Sequence, residues 1–402
     1  MTNEKRVISG QLRLGDAEVT SYGAKSILAK ITAAHTLAGM TRLLFLPSHI
    51  PELNQKVVDH CRELGVETYL WYKVLADNDI IAHEDELNEN AWGWKGAGKS
   101  GVWPPLFDSE ETFLFACPNN RKYNNLLYNR CAQALESYSG LFIDCIGFPL
   151  PSLGLESVFS CFCPDCRRIE PRLDEWRKNV QDYREMLVSA SDADLDRFDD
   201  FDEMLAEYGM ADFFAFRKKS IANLSRRYAE LARQMGKGVG LDVVSPCMMR
   251  MSGHDYKALG ELVDWLKPRI YFRTFGPSSI SLELYCLAMG MKTWGKRYSL
   301  GAVLRYIGRS TRIKMPNSIH ALEQNHLPDE IAVDEMERAM RLADCPVHPG
   351  LEFSLHPEFD AGLDTEKVRR YIAAARNAPG LVLTWNILYI PDNYLQIIGE
   401  NL

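Results

Sequence analysis

The chain has 402 residues, 46% of them hydrophobic, which suffices for one large core and does not by itself demand two domains. A formal net charge of −8, with no block of basic residues, argues against a nucleic-acid partner. Charge runs through Met1 to Leu12, and no apolar stretch approaches the roughly 18 residues of a membrane span, so a soluble, cytoplasmic protein with no membrane partner is expected.

Short β-branched or aromatic runs alternate with longer runs of helical period along the whole chain. Val7 to Leu14 reads as a weak strand, followed by a helix from Ala24 to a Gly39 cap. Strand two spans Arg42 to Pro47, and Pro51 opens a helix that ends near Gly65. Strand three, Glu67 to Val74, leads into a long loop holding Trp92, Trp94 and Trp103. A helix from Arg121 to Tyr138 precedes strand four, Leu141 to Ile146, an apolar run broken only by Asp144. The fourth crossover is long: it contains a cysteine cluster, an acidic helical insert around Asp192 to Asp212, and a helix from Phe213 to Met235. Strand five is Val239 to Val244, and a helix from Tyr256 to Leu266 precedes strand six, Arg269 to Thr274. An insert from Pro277 to Pro328 and a helix from Glu330 to Leu342 lead to strand seven, Gly350 to Ser354. A helix from Thr365 to Ala375, strand eight from Leu381 to Ile387, and a helix near Asn393 to Gly399 close the chain.

Eight such pairs predict an α/β fold: one (β/α)8 barrel over residues 1–402, with long insertions after strands three, four and six. Residues 161–212 form a knuckle and acidic insert within it. No Gly-x-Gly-x-x-Gly follows strand one, which lowers a dinucleotide-binding alternative, and no organic cofactor is expected.

Ten cysteines without an export signal read as thiols and metal ligands rather than disulfides. Cys61, Cys131, Cys145, Cys247, Cys286 and Cys345 fall at positions suited to small core residues. Cys117 stands just before helix three, and Cys161, Cys163 and Cys166 share the segment Ser-Cys-Phe-Cys-Pro-Asp-Cys after strand four. Four sulfurs from adjacent loops suit a closed, structural zinc ion. The spacing resembles that of the β-galactosidases of glycoside hydrolase family 42, which carry one Cys before the third helix and a Cys-x-Cys-x-x-Cys group about forty residues on. The sequence departs from that family at strand four, where Ile143-Asp144 replaces an Asn-Glu pair, so that family's acid/base is not carried over.

A second resemblance spans about residues 115 to 395. The run Leu141-Phe-Ile-Asp144-Cys-Ile-Gly-Phe-Pro149 is similar to the strand-four signature of barrel proteins classed as hypothetical glycosyl hydrolases. So, in order, are Phe216-Arg217-Lys-Lys-Ser-Ile, Gly240-Leu-Asp242-Val-Val-Ser-Pro246, Val263-Asp264-Trp-Leu-Lys-Pro268 and Gly380-Leu-Val-Leu-Thr-Trp385-Asn386. The resemblance implies a site for a small carbohydrate substrate.

Strand C-termini line the catalytic mouth of such a barrel, and there the sequence places Asp144, Asp242, Tyr271, Arg273, Glu352, Trp385 and Asn386. Glycoside hydrolysis needs two carboxyl groups, one as acid/base and one as nucleophile or base. Asp144 and Glu352, on opposite sides of the mouth, are the leading pair. Asp144, in an apolar run, is expected to have a raised pKa and act as acid, with Glu352 ionised near Arg273. The alternatives are an Asp144 paired with Arg273 or strand-end backbone, a Glu352 held by His348 or His356, and a purely structural Asp242. Trp385 offers a face for a sugar ring, and His49 is either a polar contact or a structural residue.

Gly93-Trp-Lys-Gly-Ala-Gly98-Lys99-Ser100 spells a phosphate loop, but no buried strand precedes it and Gly101-Val-Trp-Pro-Pro cannot start a helix. Asn223-Leu-Ser225, in a helix, is a glycosylation site by spelling only, and the acidic run Asp192 to Asp202 reads as a solvated face or lid. The rival classes are a barrel that binds a carbohydrate without cleaving it and a sugar isomerase or lyase. A metal-dependent enzyme using His49, His348 or His356 lacks a ligand spacing. The insert lengths hint at a homo-oligomer contact.

Overall fold

A computed structural model describes residues 6–76, 81, 83–96, 114–276, 278–325, 327–355 and 362–402. The eight parallel strands are β1 (Val7–Arg13), β2 (Arg42–Leu46), β3 (Glu67–Lys73), β4 (Gly140–Asp144), β5 (Gly238–Val244), β6 (Trp265–Ile270), β7 (Gly350–Glu352) and β8 (Gly380–Thr384). They pair in chain order, and β1 pairs with β8 to close the ring. The chain thus forms the expected (β/α)8 barrel.

Side chains alternate along each strand. Leu141, Ile143, Val239 and Leu241 join the large core shared with the helices, while Leu44, Tyr69, Phe142, Trp265 and Val382 form a separate core. Phe142 and Trp265 stack 5.4 Å apart with planes 5° from parallel, and Trp265 also stacks on His348 at 4.9 Å. These rings need glycine opposite them. A Cβ on Gly240 would lie 2.2 Å from Trp265, and one on Gly140 would lie 2.4 Å from Tyr69. The plug fills the barrel below the strand C-termini, where the charged residues begin.

Strand six corrects the sequence reading. It begins at Trp265, four residues before the expected start, and the preceding helix is only Tyr256–Gly260. Pro268, a residue without an N–H and unfavourable inside a strand, sits within β6 opposite Val243. Lys267 and Arg269 thereby share the inward face with Trp265, and Tyr271 and Arg273 move into the following loop. The first helix starts at Asp16 rather than Ala24 and bends at Gly23, whose φ of 63° suits glycine.

The insertion after β4 contains a helix that the sequence reading lacked, Leu173–Ser189. The insertion after β6 holds the helices Ile280–Trp294, Leu300–Thr311 and Ile319–Asn325. The two insertions dock. Asp192 accepts hydrogen bonds from the Ser299 N–H and hydroxyl, and Asp196 pairs with Arg305 and Arg309. The acidic run is therefore a docking edge in part, not only a solvated face. No helix among the described residues is long and apolar enough to cross a membrane.

Candidate functional site

The polar layer above the plug is built from the last inward positions of β4, β5 and β6. Asp144 ends β4, Asp242 lies in β5, and Lys267 and Arg269 come from β6. The Arg269 guanidinium spans both acids: Nη2 donates to Asp144 Oδ1 at 2.5 Å and Nε donates to Asp242 Oδ2. Its third nitrogen donates to Ser278 Oγ at 2.7 Å. Lys267 Nζ lies 2.8 Å from Asp242 Oδ1 and donates to the Tyr271 hydroxyl at 2.5 Å. Asp144 also accepts from the Trp71 indole N–H at 2.7 Å and from the Cys145 N–H at 2.6 Å. Cys145 holds a φ of 53°, a left-handed conformation that turns the chain sharply after Asp144.

The environment splits the two carboxyls. Burial pushes Asp144 up, but Arg269, a hydrogen bond from Asp242, Lys267 and Trp71 together hold it well below the usual carboxylate range. Burial pushes Asp242 up to about 6 against the pull of Arg269 and Lys267, and the neighbouring negative charge of Asp144 adds to the rise. The pair therefore holds one proton over the acidic range, and the proton belongs to the pair. The direction of the Asp144 shift is opposite to the rise expected from its apolar neighbours, because Arg269, Lys267 and the hydrogen-bond donors together outweigh burial. The Asp144 side chain is 8% exposed and that of Asp242 only 1%, so Asp144 is the more accessible of the two.

Glu352 is held differently. Its Oε2 accepts from the N–H groups of Phe272 and Arg273, at 2.9 and 3.0 Å, and its Oε1 accepts from the Thr274 N–H and hydroxyl. Burial nevertheless pushes its carboxyl up. The Arg273 guanidinium pairs with Asp329, not with Glu352 or Asp144. His348 stacks on Trp265 in the plug rather than on Glu352, and the alternative partner His356 lies outside the described residues, as do Trp103 and Gly98-Lys99-Ser100.

Trp385 follows β8 and meets Tyr271 at a ring distance of 5.5 Å, which puts an aromatic pair beside Lys267. Asn386 donates to the Arg13 carbonyl and accepts from the Leu388 N–H, tying β8 to β1. His49 stands apart, 70% exposed and 3.0 Å from Asp16. Trp92 packs on Trp294, and Trp94 is exposed. Cys145 and Cys345, expected in the core, are only half-buried.

The sequence reading missed Lys267, Arg269 and Glu283. For the first two, the signal was a pair of cations two residues apart, Lys267 and Arg269, in the run Trp-Leu-Lys-Pro-Arg, which share a face only once the strand is extended through the proline. For Glu283 it was a lone carboxyl in the apolar start of the helix Ile280–Trp294. Glu283 accepts from the Ser152 N–H and hydroxyl and from the Ser278 N–H, joining the β4 and β6 loops beneath Arg269, and burial pushes it up to about 7.

The four cysteines Cys117, Cys161, Cys163 and Cys166 are buried, with sulfurs all within 4.8 Å of one another, and can hold a metal ion. The Cys117 sulfur lies 3.3 Å from that of Cys163 and 3.5 Å from that of Cys166. Three N–H groups already point at the sulfurs, each at 3.3 Å: Asn119 N–H at Cys117, Asn119 Nδ2 at Cys166 and Glu89 N–H at Cys161. Donors aimed at sulfur suit thiolates that carry charge, the form that binds metal.

No protein-family model matches this sequence, and no curated protein does. Among solved structures, the chain is similar to a chitinase from Chromobacterium violaceum ATCC 12472 at 7% identity, covering 98% of each chain with a TM-score of 0.46. Catalytic domain 2 of the Group II chitinase of Ostrinia furnacalis aligns at 11% identity over 99% of this chain and 96% of that one, with a TM-score of 0.46. An α-galactosidase from Thermus thermophilus, in complex with stachyose, aligns at 11% identity over 99% of this chain and 65% of its own, with a TM-score of 0.47.

Proposed function

We propose that this barrel is a glycoside hydrolase-like enzyme acting on a small carbohydrate or glycoside, with the Asp144–Asp242 pair as its proton donor. The observation that carries the reading is a pair of buried carboxyls on neighbouring strand ends, bound to one guanidinium and split so that one stays ionised while the other keeps a proton to about pH 6. Cleavage of a glycosidic bond needs a proton delivered to the leaving oxygen, and two carboxyls with separated pKa values are the usual protein device for this. Asp144 passes the proton stored on Asp242 to the leaving oxygen as the glycosidic bond breaks, and a water molecule then bonds to the sugar carbon and returns its proton to the ionised pair.

Tyr271 and Trp385 supply the aromatic face for a sugar ring. Glu352 is left out of the proton transfer, since four donors already occupy its two oxygens, and serves to fix the loop carrying Arg273. The four cysteines hold a structural zinc ion, since four sulfurs leave no open position for substrate.

A second reading rests on the contact between Lys267 and Tyr271 beside Asp242, a set able to shuttle a proton in a sugar isomerase or lyase. Incubation with aryl glycosides of galactose, glucose, fucose and uronic acids separates the two. Release of aryl alcohol with a free sugar supports hydrolysis, whereas isomerised or unsaturated products support the second reading and no turnover contradicts both.

A further inference from the structure

We propose that Arg217 is the buried counter-charge of the four-cysteine metal site and governs how firmly that site keeps its ion. The inference rests on the reading of those cysteines as metal ligands. Arg217 lies on the helix Ala211–Gln234, which touches the cluster: Ser220 Oγ accepts from Asn119 Nδ2 at 3.1 Å, and the same amide donates to the Cys166 sulfur. Arg217 precedes Ser220 by three residues and so shares its face of the helix.

The side chain is fully buried, with its guanidinium 4.3 Å above the Phe148 ring and 5.0 Å from that of Phe214. Nη2 donates to the Met251 carbonyl at 2.7 Å, whereas Nε and Nη1 have no hydrogen-bond partner and no carboxylate pairs with Arg217 among the described residues. Burial pulls the guanidinium down to about 9, and a negative Cys161 acts in the opposite direction. The aromatic faces of Phe148, Phe213 and Phe214 offset part of the cost of burying this cation, and negative charge nearby would offset the rest.

The cluster is the available source. Four thiolates around one divalent ion leave two negative charges in the interior. The neighbouring cations Arg167 and Arg177 are already engaged by two carboxylates, Arg167 by Asp174 and Glu89 and Arg177 by Glu89, which among the described residues leaves Arg217 to balance the sulfurs. Its stack on Phe148, just past β4, also links the cluster to the loops that frame the mouth.

The test compares wild type with Arg217→Met, Arg217→Lys and Phe148→Leu by metal content, by the rate of zinc transfer to a chromophoric chelator, and by the thiolate-to-cobalt absorption after cobalt substitution. Arg217→Met should release zinc roughly 10- to 100-fold faster. Arg217→Lys should stay near wild type, and Phe148→Leu should lower Tm without speeding release. Should Arg217→Met fail to fold, Arg217→Gln takes its place. Zinc release at the wild-type rate from the uncharged variant overturns the proposal, and so does equal acceleration by Phe148→Leu, which would make packing the cause. Wild-type protein that takes up neither zinc nor cobalt overturns the metal reading together with it, an outcome distinct from the other two.

Discussion

Asp144 and Asp242, on neighbouring strands, are bound by different nitrogens of the same Arg269 guanidinium. Removing that guanidinium leaves two neighbouring buried carboxyls with Lys267 and the neutral donors of Trp71 and the Cys145 N–H to offset them. Arg269→Met should destabilise the protein by about 3–5 kcal/mol. Adding Asp242→Asn should recover part of that loss, because the repulsion vanishes with one charge. Urea unfolding of the single and double variants measures both, and strictly additive losses would show that the three groups do not act as a unit.

The pH dependence follows from the direction of each shift. Asp242 is raised from 3.8 to about 6, so its contribution to stability is fully present below about pH 4 and is lost as pH rises through about 6. Asp144 is lowered, so its contribution is present above about pH 4 and is lost only in stronger acid. Asp242→Asn should therefore flatten the decline in stability between about pH 4 and 6, as read by Tm across that range. In turnover, the proton donor empties above about pH 6, and the falling limb of kcat should disappear in the same variant.

Glu352→Gln tests whether this carboxyl organises the β6 loop. An amide nitrogen cannot accept from the N–H groups of Phe272 and Arg273, so at least one buried donor loses its partner, at a cost of about 1–3 kcal/mol. A lower Tm with a raised KM is expected, since Arg273 and Tyr271 lose their support. Unchanged stability with abolished kcat would instead make Glu352 a participant in bond cleavage.

Cys163→Ser should strip the metal. The expected result is loss of stoichiometric zinc by elemental analysis, with faster proteolysis of the segment around Cys161, because Cys117 no longer ties it to the β3 loop. A variant that keeps its zinc would remove Cys163 from the ligand set.

Much of the barrel was legible because strand and helix periodicities alternate eight times despite the long insertions, and the cysteine set was legible because Cys161, Cys163 and Cys166 are closely spaced and Cys117 stands at the start of the neighbouring unit's helix. Strand six was read as starting at Arg269, with Trp265 and Leu266 assigned to the preceding helix, whereas the barrel pairs the strand from Trp265 through Pro268. That one shift hid Lys267 and Arg269. The pKa of Asp144 was misread for a different reason: its apolar sequence neighbours suggested a raised value, while the cation that lowers it arrives from a strand 125 residues later. The helix Leu173–Ser189 was missed although its apolar face, with Trp176, Val180, Tyr183 and Leu187, keeps helical spacing.

The most direct test of the central claim is the specific activity of Asp242→Asn and Asp144→Asn beside wild type on whichever aryl glycoside the wild type hydrolyses, with circular dichroism to confirm folding. The account predicts that both folded variants lose kcat by at least about 100-fold, the range for loss of a general acid. Full activity in either folded variant would contradict it.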